Sequence, residues 1–302
     1  MIQATHLTKT FDDIKALNDL SLTIGEDQVF GLVGTNGAGK STFLNLAAGI
    51  MRPTSGSIQV DGTDTWDSPK AKSRLCYISD EPYFFPNCSA GEMANYFRDI
   101  FPAFDTERFN KLMHDFDLDP NRRINTFSKG MKKQLAILLG VSAQTRYLLL
   151  DETFDGLDPV MRQAVKSLFA GEMDRRGLTP IISSHSLREL EDICDHVGLL
   201  HKGGLILSED INDMKLGILK LQCVFKEPEA GPEAVSRLLH VLTHEEHGRL
   251  HIFTVKASRE EVEAVFAQIP TVFFEVLPLT LEEVFIAETE DAGYDVRSLI
   301  LH

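Results

Sequence analysis

A glycine-rich segment between an apolar strand and an apolar helix restricts the fold of this chain more than any other feature. Its residues, in order, are Gly34, Thr35, Asn36, Gly37, Ala38, Gly39, Lys40, Ser41 and Thr42. The apolar stretch 28–33 precedes it and the apolar stretch 43–48 follows it, which predicts a strand, a tight turn and a helix. Glycines let such a turn aim several backbone N–H groups at one point, where the helix also directs its positive end. The segment therefore predicts an anion-binding loop.

The lysine and the hydroxyl group that follows it indicate which anion this loop binds. The spacing matches the nucleotide-binding pattern G-x-x-x-x-G-K-[ST]. In that pattern Lys40 reaches the β- and γ-phosphates of a nucleoside triphosphate, and the hydroxyl of Ser41 ligates Mg²⁺. A glycine-rich turn that matches by chance is the alternative, and the apolar flanks argue against it. We therefore predict that the chain binds a nucleoside triphosphate.

Composition and charge exclude several classes of protein. The net charge of −15 argues against broad binding to nucleic acid or anionic lipid, because both need a basic face. It leaves room for a membrane-protein partner at a local patch. The longest apolar run, 135–141, is shorter than the ~18 residues of a membrane span. The first residues show no secretory signal, and the four cysteines show neither metal nor disulfide spacing. We therefore expect a cytoplasmic protein with one large and one small domain.

Two further segments begin as apolar strands and end in polar residues. Residues 147–150 lead into Asp151 and Glu152, and the second segment begins at Ile181 and ends in His185. Ligands of parallel sheets bind at the carboxyl ends of strands. Asp151 is thus placed to hold Mg²⁺, and Glu152 to polarise the attacking water as a general base. His185 is placed to hydrogen-bond the γ-phosphate. Ordinary strands that end in solvated polar groups are the alternative.

A capped helix with a basic first turn is predicted near residue 128. Ser128 is a suitable N-cap for an apolar helix, and Lys129, Lys132 and Lys133 surround the helix end. Because a helix N-terminus carries partial positive charge, this end predicts a second anion site. The alternative is a capped helix whose basic end is only solvated.

The order of these segments resembles that of the ATP-binding-cassette (ABC) ATPases. The phosphate-binding loop, Ser128, the Asp151–Glu152 pair, Asp158 and His185 follow one another as in that family. The resemblance covers residues 1–214 and implies an α/β P-loop NTPase cassette of mainly parallel sheet and helices. It also implies a helical subdomain at about 82–145.

The remaining residues, 215–302, predict a small α+β domain. Strands are expected near 221–225, 250–255 and 271–276, with helices near 232–242 and 258–269. Three histidines are spaced for one face of a metal-binding helix: His244, His247 and His251. The glycine between them and the strand pattern that follows favour a solvated hairpin instead.

The resemblance implies roles for individual residues. Phe11 stacks on adenine, and Asp158 crosses the seam of a dimer. Four residues take the place of the family signature: Ser128, Lys129, Gly130 and Met131. Lys129 and Met131 replace a glycine and a glutamine of that signature. In the family it faces the γ-phosphate bound by a second subunit, so the resemblance implies a dimer, either a homodimer or a dimer with a similar subunit. Phe154 also departs from the family pattern, and packing at the dimer seam is one interpretation.

The segment after residue 79 is where the resemblance implies contact with a membrane subunit. Asp80 falls where the family has a glutamine that touches Mg²⁺; an aspartate is shorter and charged, and Glu81 is a competing candidate. Tyr83, Phe84 and Phe85 are the candidates for a groove that receives a short helix of a membrane permease. The alternative is that these aromatics belong to the core of the helical subdomain.

The function implied by this resemblance is an ATP-binding and ATP-hydrolysing subunit that dimerises on ATP and drives a separate permease. Such a subunit lies peripherally on the inner face of the cell membrane. Ser-Lys-Gly-Met and the closing segment 278–285 resemble exporter-type members. Two alternatives stay open: a cassette ATPase acting on ribosomes or DNA, and a regulatory subunit that binds ATP without turnover. A single cassette without a basic surface disfavours the first, and the presence of Lys40, Glu152 and His185 disfavours the second.

Overall fold

Two units form along the chain, Met1–Ser208 and a second that begins at Glu209. The computed structural model describes residues 1–227, 229–277 and 279–291. The boundary predicted after residue 214 falls inside a helix of the second unit, Ile211–Gly217. Within the described residues, no helix is both long enough and apolar enough to cross a membrane.

The first unit contains strands β1 to β10 and helices α1 to α7, and the last strand extends two residues past the unit boundary. Its strands are β1 (Ile2–Phe11), β2 (Ile14–Ile24), β3 (Phe30–Val33), β4 (Ser55–Val60), β5 (Thr63–Asp64), β6 (Leu75–Ile78), β7 (Tyr147–Asp151), β8 (Thr179–Ser184), β9 (His196–His201) and β10 (Gly204–Asp210). Its helices are α1 (Lys40–Ala47), α2 (Pro69–Lys72), α3 (Ala90–Ile100), α4 (Thr106–Asp115), α5 (Lys129–Ser142), α6 (Pro159–Arg176) and α7 (Leu187–Glu191).

A six-stranded sheet of order β10-β9-β3-β8-β7-β6 carries the site. Neighbouring strands from β9 to β6 run parallel. Every residue of β3, β7 and β8 is buried, which is why β3 and residues 147–150 of β7 appear in the sequence as apolar runs; β8 contributes the apolar pair Ile181 and Ile182 and ends in buried serines. Because their carboxyl ends meet at one edge, the segments that follow Val33, Asp151 and Ser184 converge there.

A second sheet, β2-β1-β4-β5, is antiparallel and shares a core with the first. Helix α1 lies in this core: its Phe43 and Leu46 are fully buried in one cluster with Leu7 of β1 and Leu149 of β7. Burial of such side chains stabilises the fold by about 1.5–3 kcal/mol each. The start of α1, and with it the glycine-rich loop, is thereby fixed against the large sheet.

Helices α3, α4 and α5 form the predicted helical part of the first unit. Phenylalanine rings line its interior, with Phe104 lying 6.4 Å from Phe97 and 5.9 Å from Phe109 between ring centroids. Arg108 of α4 donates to the fully buried carboxylate of Glu172 in α6 at 2.9 Å. A buried carboxylate needs such partners, so this ion pair holds α4 against α6.

The second unit is a four-stranded antiparallel sheet with helices. Its elements are α8 (Ile211–Gly217), β11 (Ile218–Phe225), α9 (Ala230–Leu238), β12 (His240–His247), β13 (Leu250–Lys256), α10 (Arg259–Phe266), β14 (Thr271–Leu277) and α11 (Leu281–Asp291). The strand order is β12-β13-β11-β14. The three predicted strands are confirmed, but the helix expected to reach residue 242 ends at Leu238, and β12 follows it.

The three histidines lie on a hairpin, as the sequence favoured, and not on one helix. Gly248 makes the turn with φ of 68°. Nε2 of His244 and Nδ1 of His251 are 3.0 Å apart, and the His244 ring stacks on Phe253. The sequence also predicted that these histidines are solvated. That prediction is wrong for His251, because its side chain is buried in the sheet.

Candidate active site

The glycine-rich loop runs from β3 into α1 with a backbone that only glycine adopts easily. Gly39 precedes the helix with φ of 108°, and Gly37 has φ of 81°. A Cβ atom on Gly39 would lie 2.6 Å from the carbonyl oxygen of Ala16, and one on Gly34 would lie 2.5 Å from that of Leu200. Both distances are closer than non-bonded atoms tolerate, so these two glycines are needed for close packing as well as for the turn.

Lys40 is buried within the loop, with 4% of its side chain exposed. Its Nζ donates to the carbonyl oxygens of Gly34 at 2.7 Å and Thr35 at 3.3 Å. The same nitrogen lies 3.2 Å from Oε1 of Glu152. The ammonium group is therefore held between the loop and the end of β7, where a bound phosphate would meet it.

Asp151 joins the loop to the sheet. Ser41 donates its hydroxyl to Oδ1 of Asp151 at 3.0 Å, and Ser183 donates to the same oxygen at 2.6 Å. The hydroxyl of Tyr77 donates to Oδ2 at 3.1 Å, and burial followed by the charge of Asp151 raises the pKa of that phenol. The hydroxyl of Ser41 and the carboxylate of Asp151 are hard oxygen donors, which is the donor set that suits Mg²⁺.

Ser183 and Tyr77 contact Asp151, and the sequence singled out neither of them. Ser183 lies beside Asp151 in the parallel register of β7 and β8. Its hydroxyl also accepts a hydrogen bond from the backbone N–H of Glu152 at 2.9 Å. Tyr77 lies on β6, the neighbour of β7 on the other side. Their position near strand ends was visible in the sequence, but their contact with Asp151 depends on strand order.

Glu152 follows β7 with a left-handed backbone, φ of 46°, which a non-glycine residue rarely adopts. Its Oε2 lies 3.9 Å from Nδ1 of His185, and the same ring nitrogen lies 3.4 Å from Oδ2 of Asp155. The structure thus brings Lys40, Glu152 and His185 to one edge of the sheet. A carboxylate there can take a proton from water, and an imidazole can donate to a phosphate oxygen.

A cavity of about 590 Å³ opens over the loop. Its lining combines the loop with one rim of β1 and β2: Phe11, Ile14, Lys15, Ala16, Asn36, Gly37, Gly39, Lys40, Ser41, Thr42, Glu152 and Lys202. This volume is in the range of small-molecule sites. Phe11 is exposed at its rim, with Nζ of Lys9 at 4.9 Å from the ring centroid. Lys15 and Lys202 add positive charge that the sequence did not lead us to expect there.

The signature residues lie around a different cavity. Ser128 caps α5 as predicted, its hydroxyl accepting from the backbone N–H of Met131 at 3.2 Å. Lys129 and Gly130, in the first turn of α5, line a cavity of about 490 Å³ together with the segments 80–82 and 155–156. One chain therefore carries the phosphate-binding loop and the signature helix at separate cavities.

Asp80 forms an ion pair with a lysine of α5. Its Oδ1 lies 2.9 Å from Nζ of Lys133, while Ser41 contacts Asp151. The predicted contact of Asp80 with Mg²⁺ stays a prediction. Asp158 caps α6, where its Oδ1 accepts from the backbone N–H of Met161 at 2.9 Å.

Phe154 corrects one interpretation made from the sequence. Its side chain is fully buried within its own unit, and its ring meets Phe169 of α6 edge-on with centroids 6.1 Å apart. A side chain without exposed surface cannot pack against a second subunit, so the dimer-seam interpretation is wrong.

Asp155 lies in an environment that favours a protonated carboxyl group. Its Oδ1 is buried and accepts no hydrogen bond from the described part of the chain. Burial, and then the neighbouring carboxylate of Glu189, raise the pKa of Asp155 to about 6, although His185 opposes the shift. Glu189 itself is held by Arg162 at 2.6 Å and by the hydroxyl of Ser184 at 2.9 Å. A proton on Asp155 would supply the missing hydrogen bond to Glu189.

Asp155→Asn should stabilise the protein more at pH 8 than at pH 5. The raised pKa means that Asp155 contributes stability at low pH, where it is protonated, and loses it as pH rises through about 6. The amide donates to Glu189 at every pH, so the variant should gain about 1–2 kcal/mol over wild type at pH 8. Urea unfolding at both pH values measures this, with the exposed Asp174→Asn as control. An equal difference at both pH values contradicts the assignment.

Comparison with known proteins places the site in a family. The family model described as ABC transporter matches residues 17–155. The ABC transporter ATP-binding protein YtrB of Bacillus subtilis (strain 168) is 31% identical over 288 residues, which cover 95% of this chain and 98% of YtrB. The bacitracin transport ATP-binding protein BcrA of Bacillus licheniformis is 31% identical over 209 residues, or 68% of each chain.

A solved structure shares the fold of the first unit. The dimeric structure of a post-hydrolysis state of the ATP-binding cassette MJ0796, bound to ADP and Pi, has a TM-score of 0.62 at 20% identity. The likeness covers 70% of this chain and 98% of that chain, and it confirms the predicted cassette fold. With nearly the whole of YtrB matched, the chain belongs to the ABC transporter ATP-binding proteins, as the ATP-binding subunit of a transport system.

Proposed function

We propose that this chain hydrolyses ATP within a two-subunit assembly and thereby drives a separate membrane permease in the direction of export. One observation carries the hydrolytic part: Lys40, Asp151 and Glu152 meet at the carboxyl edge of the sheet. Phosphoryl transfer to water needs three groups: a cation that binds the phosphates, a carboxylate that binds the metal ion and a carboxylate that activates the water.

Each residue of this edge has a chemical role in the proposal. Lys40 and the N-terminus of α1 bind the β- and γ-phosphates. Glu152 orients the attacking water and accepts its proton, and His185 donates a hydrogen bond to the γ-phosphate as charge moves onto the leaving group. Ser41 and Asp151 would hold Mg²⁺, which neutralises phosphate charge when bound. Phe11 at the cavity rim stacks on the adenine ring.

In the proposal, a second subunit supplies further positive charge to the γ-phosphate. The N-terminus of α5 carries a helix dipole and Lys129 but lines a cavity separate from the loop. A second copy facing the first would bring Ser128 and Gly130 to the γ-phosphate, and Asp158 to the seam. The similar fold of the MJ0796 cassette, whose solved structure is dimeric, supports this arrangement.

An exposed cluster of aromatic side chains supports a permease partner. Tyr83, Phe85 and Tyr96 are 71%, 40% and 42% exposed. Their rings meet edge-on in a row, with centroids 5.8 Å and 4.7 Å apart. A contiguous aromatic surface of this kind marks a binding site for another protein. Phe84 is half-buried beside them, and Tyr96 joins the cluster from α3, which the sequence did not indicate.

The direction of transport and the location of the assembly belong to the same proposal. Likeness to a bacitracin transport protein and the Ser-Lys-Gly-Met variant of the signature support export. The assembly lies on the cytoplasmic face of the membrane, where ATP is available, with the aromatic cluster of Tyr83, Phe85 and Tyr96 toward the permease.

The double variant Tyr83→Ser, Phe85→Ser should keep Mg²⁺-dependent phosphate release but lose the permease. The side chains are exposed, so folding tolerates the change, while loss of two aromatic anchors should weaken binding by about 100-fold. Co-purification from detergent-solubilised membranes measures the partner, and Trp66→Ser, another exposed aromatic, is the matched control. No phosphate release by the wild type, alone or with its permease, contradicts the enzymatic proposal. Undiminished co-purification of the double variant contradicts the docking surface.

A further inference from the structure

Lys133 of α5 contacts both the loop that carries Asp80 and the backbone of Glu152. Its Nζ donates to Oδ1 of Asp80 at 2.9 Å and to the backbone carbonyl oxygen of Glu152 at 2.7 Å. Only 13% of the Lys133 side chain is exposed. An ammonium group with so little access to water needs both partners, so Lys133 ties the two segments to each other.

The contact with Glu152 acts on the residue whose direction matters for hydrolysis. The left-handed backbone of Glu152 is held on one side by its N–H bond to Ser183. On the other side its carbonyl oxygen accepts from Nζ of Lys133 at 2.7 Å and, at the longer distance of 3.3 Å, from the backbone N–H of Asp155. These hydrogen bonds fix the peptide planes on both sides of its Cα atom, and the contact with Lys133 is the shorter of the two at the carbonyl. From that backbone the Glu152 carboxylate reaches Nζ of Lys40 at 3.2 Å and Nδ1 of His185 at 3.9 Å.

The contact with Asp80 reaches the other end of the site. Asp80 lies on the loop after β6, which leads directly into Tyr83 of the aromatic cluster. Asp80 is exposed and its carboxylate pairs with Lys133. A displacement of this loop therefore either breaks a charge-assisted hydrogen bond or moves Lys133, and a movement of Lys133 disturbs the carbonyl of Glu152.

We propose that Lys133 is a positioning residue that holds Glu152 in its water-activating orientation and joins it to the Asp80 loop. The proposal rests on the proposed function, since it requires Glu152 to act on water. Lys133 does not touch the nucleotide in this assignment. Its loss should therefore slow turnover without weakening ATP binding, whereas a purely structural ion pair would change stability alone.

The first test compares kcat and KM for ATP in Lys133→Met, Lys133→Arg and wild type. Lys133→Met should lower kcat on the order of tenfold or more, because small misplacements of a catalytic group cost that much. KM should stay within about threefold, since ATP binding does not use this side chain. Lys133→Arg should recover most of kcat, because its guanidinium reaches both acceptors. Lys166→Met, a half-buried helical lysine away from the site, is the matched control.

The second test is a double-mutant cycle between Lys133 and Asp80. Asp80→Ala should lower kcat, and Lys133→Met with Asp80→Ala should lower it no further than Lys133→Met alone, because contacting residues are not additive. If Lys133→Met does not fold, Lys133→Gln takes its place; its amide donates one hydrogen bond and carries no charge.

Three different results would each overturn a different part of the proposal. Absence of turnover in the wild type would overturn the proposed function. Wild-type turnover with an unchanged kcat in the Lys133 variant would overturn the positioning role. Independent, additive losses from Lys133 and Asp80 would overturn the link to the Asp80 loop.

Discussion

Glutamine in place of Glu152 is expected to slow ATP hydrolysis by about 100-fold or more, the usual contribution of a general base, while ATP stays bound. The amide has the size of the carboxyl group, and its oxygen can keep the 3.2 Å contact with Nζ of Lys40. It cannot accept a proton from water at neutral pH. Binding should therefore persist while turnover fails, and the ATP-bound dimer should accumulate.

The measurement pairs phosphate release with calorimetry of ATP binding and with molecular mass in the presence of ATP and Mg²⁺. Glu107→Gln, an exposed first-turn acid of α4, controls for the loss of one negative charge. Hydrolysis by Glu152→Gln within about threefold of wild type would show that another group activates water. Loss of ATP binding together with turnover would show that Glu152 mainly supports Lys40.

The sheet edge where the glycine-rich loop meets Asp151 and Glu152 was predictable, because the sequence patterns that indicate it are local. The apolar runs of β3 and β7 are buried throughout, so each is recognisable as a parallel strand without knowledge of its neighbours. Carboxyl ends of parallel strands meet at one edge whatever their order. That rule alone brings Asp151 and Glu152 to the loop.

The partners of these residues were not predictable, because they depend on strand order and on distant segments. Tyr77 and Ser183 reach Asp151 only because β6 and β8 flank β7. Lys133 reaches Asp80 across 53 residues of sequence, and the sequence assigned its charge to an anion site. No local pattern distinguishes a lysine that solvates a helix end from one that pairs with a loop carboxylate.

Two wrong predictions, the end of α9 and the position of Phe154, also depended on contacts that the sequence does not show. The polar strand β12 has no buried residue and lies at the edge of its sheet, so it lacks the alternation that identifies a strand. In the sequence, its first residues therefore continue the helical pattern of α9. Phe154 follows two carboxylates, and an isolated phenylalanine there suits a core or an interface equally well until its contact with Phe169 is known.

Lys40→Ala is expected to weaken ATP binding by about 100-fold, because it removes a charge-assisted contact with two phosphates. The free energy of unfolding should fall little, because the variant removes a buried ammonium together with its hydrogen bonds, and the Glu152 carboxylate that it leaves unpaired is 22% exposed and can be hydrated. Those bonds run to the carbonyl oxygens of Gly34 and Thr35, which lie at the loop and can be hydrated once the side chain is gone. The turn itself depends on Gly39 and Gly37, not on the lysine.

Calorimetry with ATP and Mg²⁺ under conditions of slow turnover measures this loss of affinity directly. Lys111→Ala, an exposed lysine of α4, controls for the change in net charge. Lys40→Ala is also made in the Glu152→Gln background. Because neither Glu152→Gln nor the double variant hydrolyses ATP, their difference in affinity reports ATP binding alone. Equal affinity in that background with and without Lys40 would mean that the helix N-terminus and the loop N–H groups hold the phosphates alone. A loss of ATP affinity of about 100-fold would show that Lys40 binds the phosphates, and Glu152 would keep the role of activating water.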